Sequence, residues 1–142
     1  MNGTRIHTFP KSSRLSAKKE IEWLFRQGSS FSCGPFRVVY HIQPLQEGAP
    51  CQILISVPKR NHKRAVRRNL LKRRIREAFR LHYNHLLEPT LADSQLKLTF
   101  LCLYLSTDIL TYGQLEPKMC HVLERLADLL KACPVATLSA AD

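Results

Sequence analysis

Lys59-Arg60-Asn61-His62-Lys63-Arg64-Ala65-Val66-Arg67-Arg68-Asn69-Leu70-Leu71-Lys72-Arg73-Arg74-Ile75-Arg76-Glu77-Ala78-Phe79-Arg80 places eleven basic side chains in one stretch against a single acid, Glu77. The stretch carries net +10 of the chain's formal +11, and the rest of the sequence is close to neutral. A field focused on one element, rather than spread over the surface, points to a polyphosphate partner. Read as a helix, the stretch sets Arg60, Arg64, Arg68, Lys72, Arg76 and Arg80 four residues apart. Each such like-charge pair costs an isolated helix about 0.2–0.5 kcal/mol. Two things offset that cost. Leu71, Ile75, Ala78 and Phe79 fall on one stripe of the helical wheel and predict packing against a sheet. Asn69, Lys72, Arg73, Arg76 and Arg80 fall together on another arc, with Lys63, Arg67 and Arg74 on a second basic edge, and both await a polyanion. A solvated helix face would mix signs to gain favourable pairs, and this one does not. A membrane-surface or calmodulin-type helix would carry a broad, bulky apolar face in place of a narrow stripe containing Ala78.

Outward from this stretch, Pro58 closes a strand expected over Gln52–Val57, and Phe36, Val38, Tyr40 and Ile42 alternate with Arg37, Val39 and His41 as an earlier one. The loop Gln43–Pro50 between them predicts a hairpin. A first helix is expected after Ser16, a candidate N-cap, ending at Gly28, with Ala17, Ile21, Leu24 and Phe25 on one face. The basic helix should run to about His85, where Glu88, Pro89 and Thr90 interrupt it. Residues Lys97–Leu105 are apolar on both faces, as a central strand would be. A last helix carries Leu115, Met119, Val122, Leu123, Leu126, Leu129 and Leu130, and Pro117 sets its start near Gly113, since proline is tolerated in the first turn. Residues 1–13 read as an extended basic arm, 14–133 as a single domain and 134–142 as a flexible tail. The class is α+β, with helices packed on a small sheet of three recognisable strands.

Lys59, Arg60, Ala65, Arg68, Asn69, Lys72, Arg73, Arg76 and Phe79 resemble the signature helix of the bacterial ribonuclease P protein family. That pattern is a basic pair, a spaced Ala, then Arg-Asn-Arg-x-Lys-Arg-x-x-Arg-x-x-Phe. Leu70 departs from it, standing where the family has its second Arg; Arg67 or Arg74 are candidates to replace the missing contact. Thr8-Phe9-Pro10-Lys11, Arg14-Leu15 and Trp23-Leu24-Phe25-Arg26-Gln27-Gly28 resemble the family's amino-terminal segment, so the likeness covers residues 8 to 131. It implies an α-β-β-β-α-β-α order of the ribosomal protein S5 domain 2-like kind, with one further short strand and a left-handed βαβ crossover through the basic helix. It also implies a function: assisting a catalytic RNA, which holds magnesium (Mg2+) and hydrolyses precursor tRNA to remove the 5′ leader. The protein would be monomeric, one per RNA. Lys59, Arg60, Arg64, Arg67, Arg68, Asn69, Lys72, Arg73, Arg76 and Arg80 would contact the catalytic RNA. Arg14, Lys18, Ile21, Phe25, Phe36 and Tyr40 would line a cleft for the single-stranded leader, where cations and aromatic platforms are the expected chemistry. Phe36 and Tyr40 share an alternating face with Val38 and Ile42, which is also the signature of core.

No protein catalytic site is expected. The acids are scattered, without the clustered carboxylates of a two-metal nuclease, and no nucleophile motif or phosphate loop is present. His82 and His85 sit three apart near a helix end, as a dipole complement or phosphate contact more readily than as metal ligands. Five cysteines without CxxC spacing are expected to be reduced thiols without zinc. With no export signal or membrane span in the sequence, a cytoplasmic location is expected. Two other classes compete: a structural RNA-binding protein of ribosomal type, and a DNA-binding regulator. A regulator would need a short helix and tight turn before the basic helix, where this chain has a strand ending at Pro58.

Overall fold

The computed structural model describes residues 18–45 and 49–133, and side chains from residue 21 onward. The expected arm and tail, Arg14, the candidate cap Ser16 and the Lys18 side chain lie outside the described residues. The chain runs α1 (Lys18–Gln27), β1 (Ser29–Cys33), β2 (Phe36–Pro44), β3 (Cys51–Ser56), α2 (Ala65–Leu86), α3 (Glu88–Ser94), β4 (Leu96–Tyr104) and α4 (Tyr112–Lys131). This is the α-β-β-β-α-β-α order, with the short α3 inserted before β4. β1 is the additional strand; only one of its five residues, Phe31, is buried, so its polar sequence gave no strand pattern.

The sheet order is β1-β2-β4-β3. β2 pairs antiparallel with both β1 and β4, whereas β3 lies parallel to β4, from Cys51 opposite Leu98 to Ser56 opposite Leu103. The expected β2–β3 hairpin is therefore not formed. β4, apolar on both faces, takes the place between those two strands, and β3 reaches it through the α2–α3 crossover. The hairpin that does form joins β1 to β2 through Gly34 and Pro35. Gly34 has φ +57°, and since Pro35 cannot follow it into positive φ, the turn is of the type with glycine first.

One face of the sheet carries Phe36, Val38, Ile53, Ile55, Leu98, Phe100, Cys102 and Tyr104, which form one buried cluster with Leu71, Ile75, Ala78 and Phe79 of α2 and the apolar stripe of α4. The opposite face packs Val39 and Leu101 against Leu24 of α1, flanked by Ile21, Leu54 and Leu103. Gly28 lets α1 close onto that sheet, because a Cβ there would stand 2.6 Å from the Leu24 carbonyl and 2.8 Å from that of Tyr40. α4 starts at Tyr112 behind a capping box between Thr111 and Gln114. Pro117 lies in its second turn, not the first. The carbonyl that loses its bond there belongs to Gly113, in the first turn of the helix.

Candidate nucleic-acid interface

α2 begins at Ala65, so Lys59–Arg64 is not helical as the charge spacing predicts. That segment is tied to the end of β4 instead. The Asn61 side-chain amide donates to the Leu105 carbonyl (3.2 Å), and His62, 4% exposed, sets Nε2 2.8 Å from the Ser106 carbonyl with its ring against Tyr104. Arg68 reaches back from the first turn of α2 and donates through Nη1 to the carbonyls of His62 (3.0 Å) and Lys63 (2.7 Å). Asn61 and His62 are thus positioning residues overlooked in the cationic run. Their only sequence signal is that they interrupt it.

The shorter helix leaves three like-charge i,i+4 pairs, Arg68–Lys72, Lys72–Arg76 and Arg76–Arg80, worth roughly 1 kcal/mol of repulsion together. Each buried Leu, Ile or Phe of the stripe contributes about 1.5–3 kcal/mol. Packing wins, and the helix can hold its cations without neutralising them. Arg80 is paired with Glu77 at 2.5 Å, and Arg74 donates to the Leu110 carbonyl at 2.5 Å, which pins α2 to the turn before α4. Among the described residues, Lys59, Arg60, Lys63, Arg64, Arg67, Lys72, Arg73 and Arg76 make no ion pair or hydrogen bond through their side chains. The N-terminus of α2 adds to this field. Its cap is Arg64, which makes no side-chain capping bond, and its first turn contains no acid, so the open backbone N–H groups and the positive helix end lie among unpaired cations. A phosphate backbone supplies what such a surface lacks.

The proposed leader cleft divides. Ile21 and Phe25 are on α1, Ile21 packed against the cluster of Leu24, Val39 and Leu101, and Phe25 52% exposed. Phe36 and Tyr40 are on the other face of the sheet. Phe36 is 1% exposed and meets the Tyr104 ring edge-on at 5.9 Å, and Tyr40 packs on the same core beside Phe31. These two belong to the core and not to a surface shared with α1. The sheet residues that do share the α1 face are Arg37, Val39, His41 and Gln43 and their partners on β4, the opposite parity of the same strand.

His82 Nε2 lies 2.7 Å from Glu116 Oε2, and the Tyr112 hydroxyl donates to the same oxygen at 3.2 Å. The hydrogen bond with His82 holds the Glu116 carboxyl below its ordinary range, while burial and the neighbouring Glu116 push Tyr112 up to about 12. His82 therefore bridges α2 to α4, with His85 Nε2 3.3 Å from its Nδ1. Among the described residues no three His, Cys, Asp or Glu side chains converge to hold a metal ion. The five cysteines are free, and burial pushes the Cys51 and Cys102 thiols up, making them inert packing groups.

A cationic helix and loop on an α+β sheet of this order invites comparison with known proteins, and the family model for ribonuclease P matches residues 9–126. The chain belongs to the ribonuclease P protein family. The ribonuclease P protein component of Porphyromonas gingivalis is 37% identical over 117 residues, covering 82% of this chain and 85% of the relative. That of Chlorobaculum tepidum is 30% identical over 131 residues, covering 86% and 84%. Among solved structures, the Staphylococcus aureus RNase P protein superposes with a TM-score of 0.64 at 25% identity, over 82% of this chain and 96% of that one. The Thermotoga maritima RNase P protein shares the fold, with a TM-score of 0.63 at 20% identity over 79% and 96%. In this chain the unpaired cations fall on α2 and the segment leading into it, the stretch that also carries Arg68, Asn69, Lys72, Arg73, Arg76 and Phe79. No described helix is long and apolar enough to cross a membrane.

Proposed function

We propose that this non-catalytic protein subunit of ribonuclease P, which acts with the RNA subunit and precursor tRNA, works through two surfaces on opposite sides of its sheet. The first is the cationic segment. Lys59, Arg60, Arg64, Arg67, Asn69, Lys72, Arg73 and Arg76 contact the catalytic RNA backbone, with Arg68 and Arg80 contributing what their internal bonds leave available. The observation that carries this reading is the set of cations left without protein partners on α2, which packing stabilises, and on the segment that leads into it. Leu70, half-buried, takes no part in the charge, and Arg67 is its exposed cationic neighbour. The second surface is the α1 side of the sheet, where Phe25 and Ile21 meet the single-stranded leader, with Arg14 and Lys18 as its cations. Exposed aromatic and apolar groups beside a cationic track are the chemistry of single-strand binding.

Hydrolysis belongs to the RNA in this assignment, together with the Mg2+ its phosphates hold. The protein's contribution is electrostatic: cations between two RNA backbones lower their repulsion and so favour both substrate docking and metal occupancy on the RNA. In this reading one protein acts per RNA. The test is the affinity of the reconstituted holoenzyme for precursor tRNA relative to mature tRNA. The parent protein should favour the precursor, and Phe25→Ala should reduce that preference while leaving mature tRNA binding unchanged. An equal effect on both ligands would remove Phe25 from the leader surface.

A further inference from the structure

The sheet face under α1 continues beyond Leu24 toward the C-terminal end of β2. There, β2 presents His41 and Gln43, β4 sets Thr99 and Lys97 opposite them, and β3 pairs Gln52 with Thr99. Strand alternation puts all five on one face. This end of the face is polar, whereas Val39, Leu101, Leu54 and Leu103 make the stretch beyond it mostly apolar, with Arg37 and Ser56 beside Leu103. Trp23 of α1 lies over the polar end, its ring centroid 4.6 Å from that of His41 at an interplanar angle of 83°, with 38% of the residue open to solvent. At about 100° per residue, Trp23 and Phe25 fall on opposite flanks of Leu24. Trp23 therefore addresses the side of α1 that Phe25 does not.

An indole placed here for packing alone would sit over the apolar end of the face. It sits instead against the His41 imidazole, on a face that also carries the amide of Gln43 and the ammonium group of Lys97, groups of the kind that contact unpaired nucleotides. Aromatic faces are the platforms on which such bases stack. Lys97, opposite Gln43 on this face, supplies a local cation for the phosphate of such a nucleotide.

We infer that Trp23 and His41, with Lys97 beside them, form a second contact for an unpaired nucleotide of single-stranded RNA, on the flank of α1 opposite Phe25. The base stacks on the indole, Gln43 faces its edge, and Lys97 meets its phosphate. The inference rests on the reading that the α1 side of the sheet takes single-stranded RNA, and extends that surface to a site that sequence spacing did not mark.

Trp23 is the only tryptophan in the chain, so its emission reports on this site alone. A short single-stranded RNA oligonucleotide should quench Trp23 in the full-length protein and shield it from iodide. Heparin, a polyanion without bases, should bind the cationic segment and leave that emission unchanged. Trp23→Ala should weaken binding of the oligonucleotide roughly 5- to 100-fold, without changing the dependence on salt, because no phosphate contact is lost. Trp23→Phe should retain most of the affinity and guards against a folding defect in the alanine variant. Equal emission changes with RNA and heparin would overturn the inference. So would parental affinity in Trp23→Ala alongside weakened binding in Phe25→Ala, a result that spares the leader reading. Parental affinity in both variants would overturn the two together.

Discussion

Arg76 sits where folding and binding pull in opposite directions, which makes Arg76→Ala the sharpest test of what α2 is for. Its side chain is exposed, makes no ion pair among the described residues, and lies four residues from both Lys72 and Arg80. Removing it relieves two like-charge pairs, roughly 0.4–1 kcal/mol, and alanine is the better helix former. The isolated protein should gain stability, raising Tm by about 1–4 °C for a chain of this size. RNA binding should weaken. Loss of one phosphate contact lowers the slope of log affinity against log salt by about 0.7–0.9, so the parent-to-variant affinity ratio should shrink about threefold for each fourfold rise in salt. Thermal melts of the free protein and filter binding to the catalytic RNA at several salt concentrations measure both. A lower Tm would show that Arg76 supports the fold, and parallel salt lines would show that it touches no phosphate. Either result would remove Arg76 from the proposed phosphate contacts on a helix stabilised by packing.

Phe36→Ala removes a buried ring packed on Tyr104 and should destabilise the fold by about 3–5 kcal/mol in denaturant titration, whereas Phe25→Ala, at an exposed position, should shift the midpoint little. Arg74→Ala loses the bond to the Leu110 carbonyl, and should cost roughly 1–3 kcal/mol of stability while leaving the salt slope of RNA binding unchanged; a changed slope would move Arg74 into the interface. The Glu116 carboxyl is held low in the folded state, so its contribution is present above the ordinary carboxylate range and lost as pH falls through its depressed folded value. Melts between neutral and acid pH should show Glu116→Gln losing less stability on acidification than the parent, and identical acid profiles would contradict the His82–Glu116 bridge.

The parts of this molecule legible in its sequence are those set by a period. Leu71, Ile75, Ala78 and Phe79 recur at helical spacing and all four are buried; Lys97–Tyr104 is apolar on both faces and lies inside the sheet. Periodicity carries no information about partners. β2 and β3 are close in sequence and read as a hairpin, yet the doubly apolar β4 gains more by lying between them. Alternation along Phe36–Gln43 defines two faces without saying which one α1 covers, and so Phe36 and Tyr40 were expected in a cleft while His41 was passed over. Charge spacing is equally blind to where a helix starts. Lys59–Arg64 continues the i,i+4 series of α2, but Asn61 and His62 bind the carbonyls after β4 and hold the segment out of the helix. The candidate interface was visible because like charges were concentrated, whereas the Trp23–His41 contact arises only when α1 crosses β2.

On the proposed function, the unpaired cations of Lys59–Arg76 act by neutralising RNA backbone. The measurement that bears on it most directly is cleavage of precursor tRNA by the catalytic RNA, with and without this protein, across a range of magnesium concentrations at fixed monovalent salt. A large stimulation at low magnesium that fades as magnesium rises is the predicted result. A stimulation that stays constant across the range would contradict it.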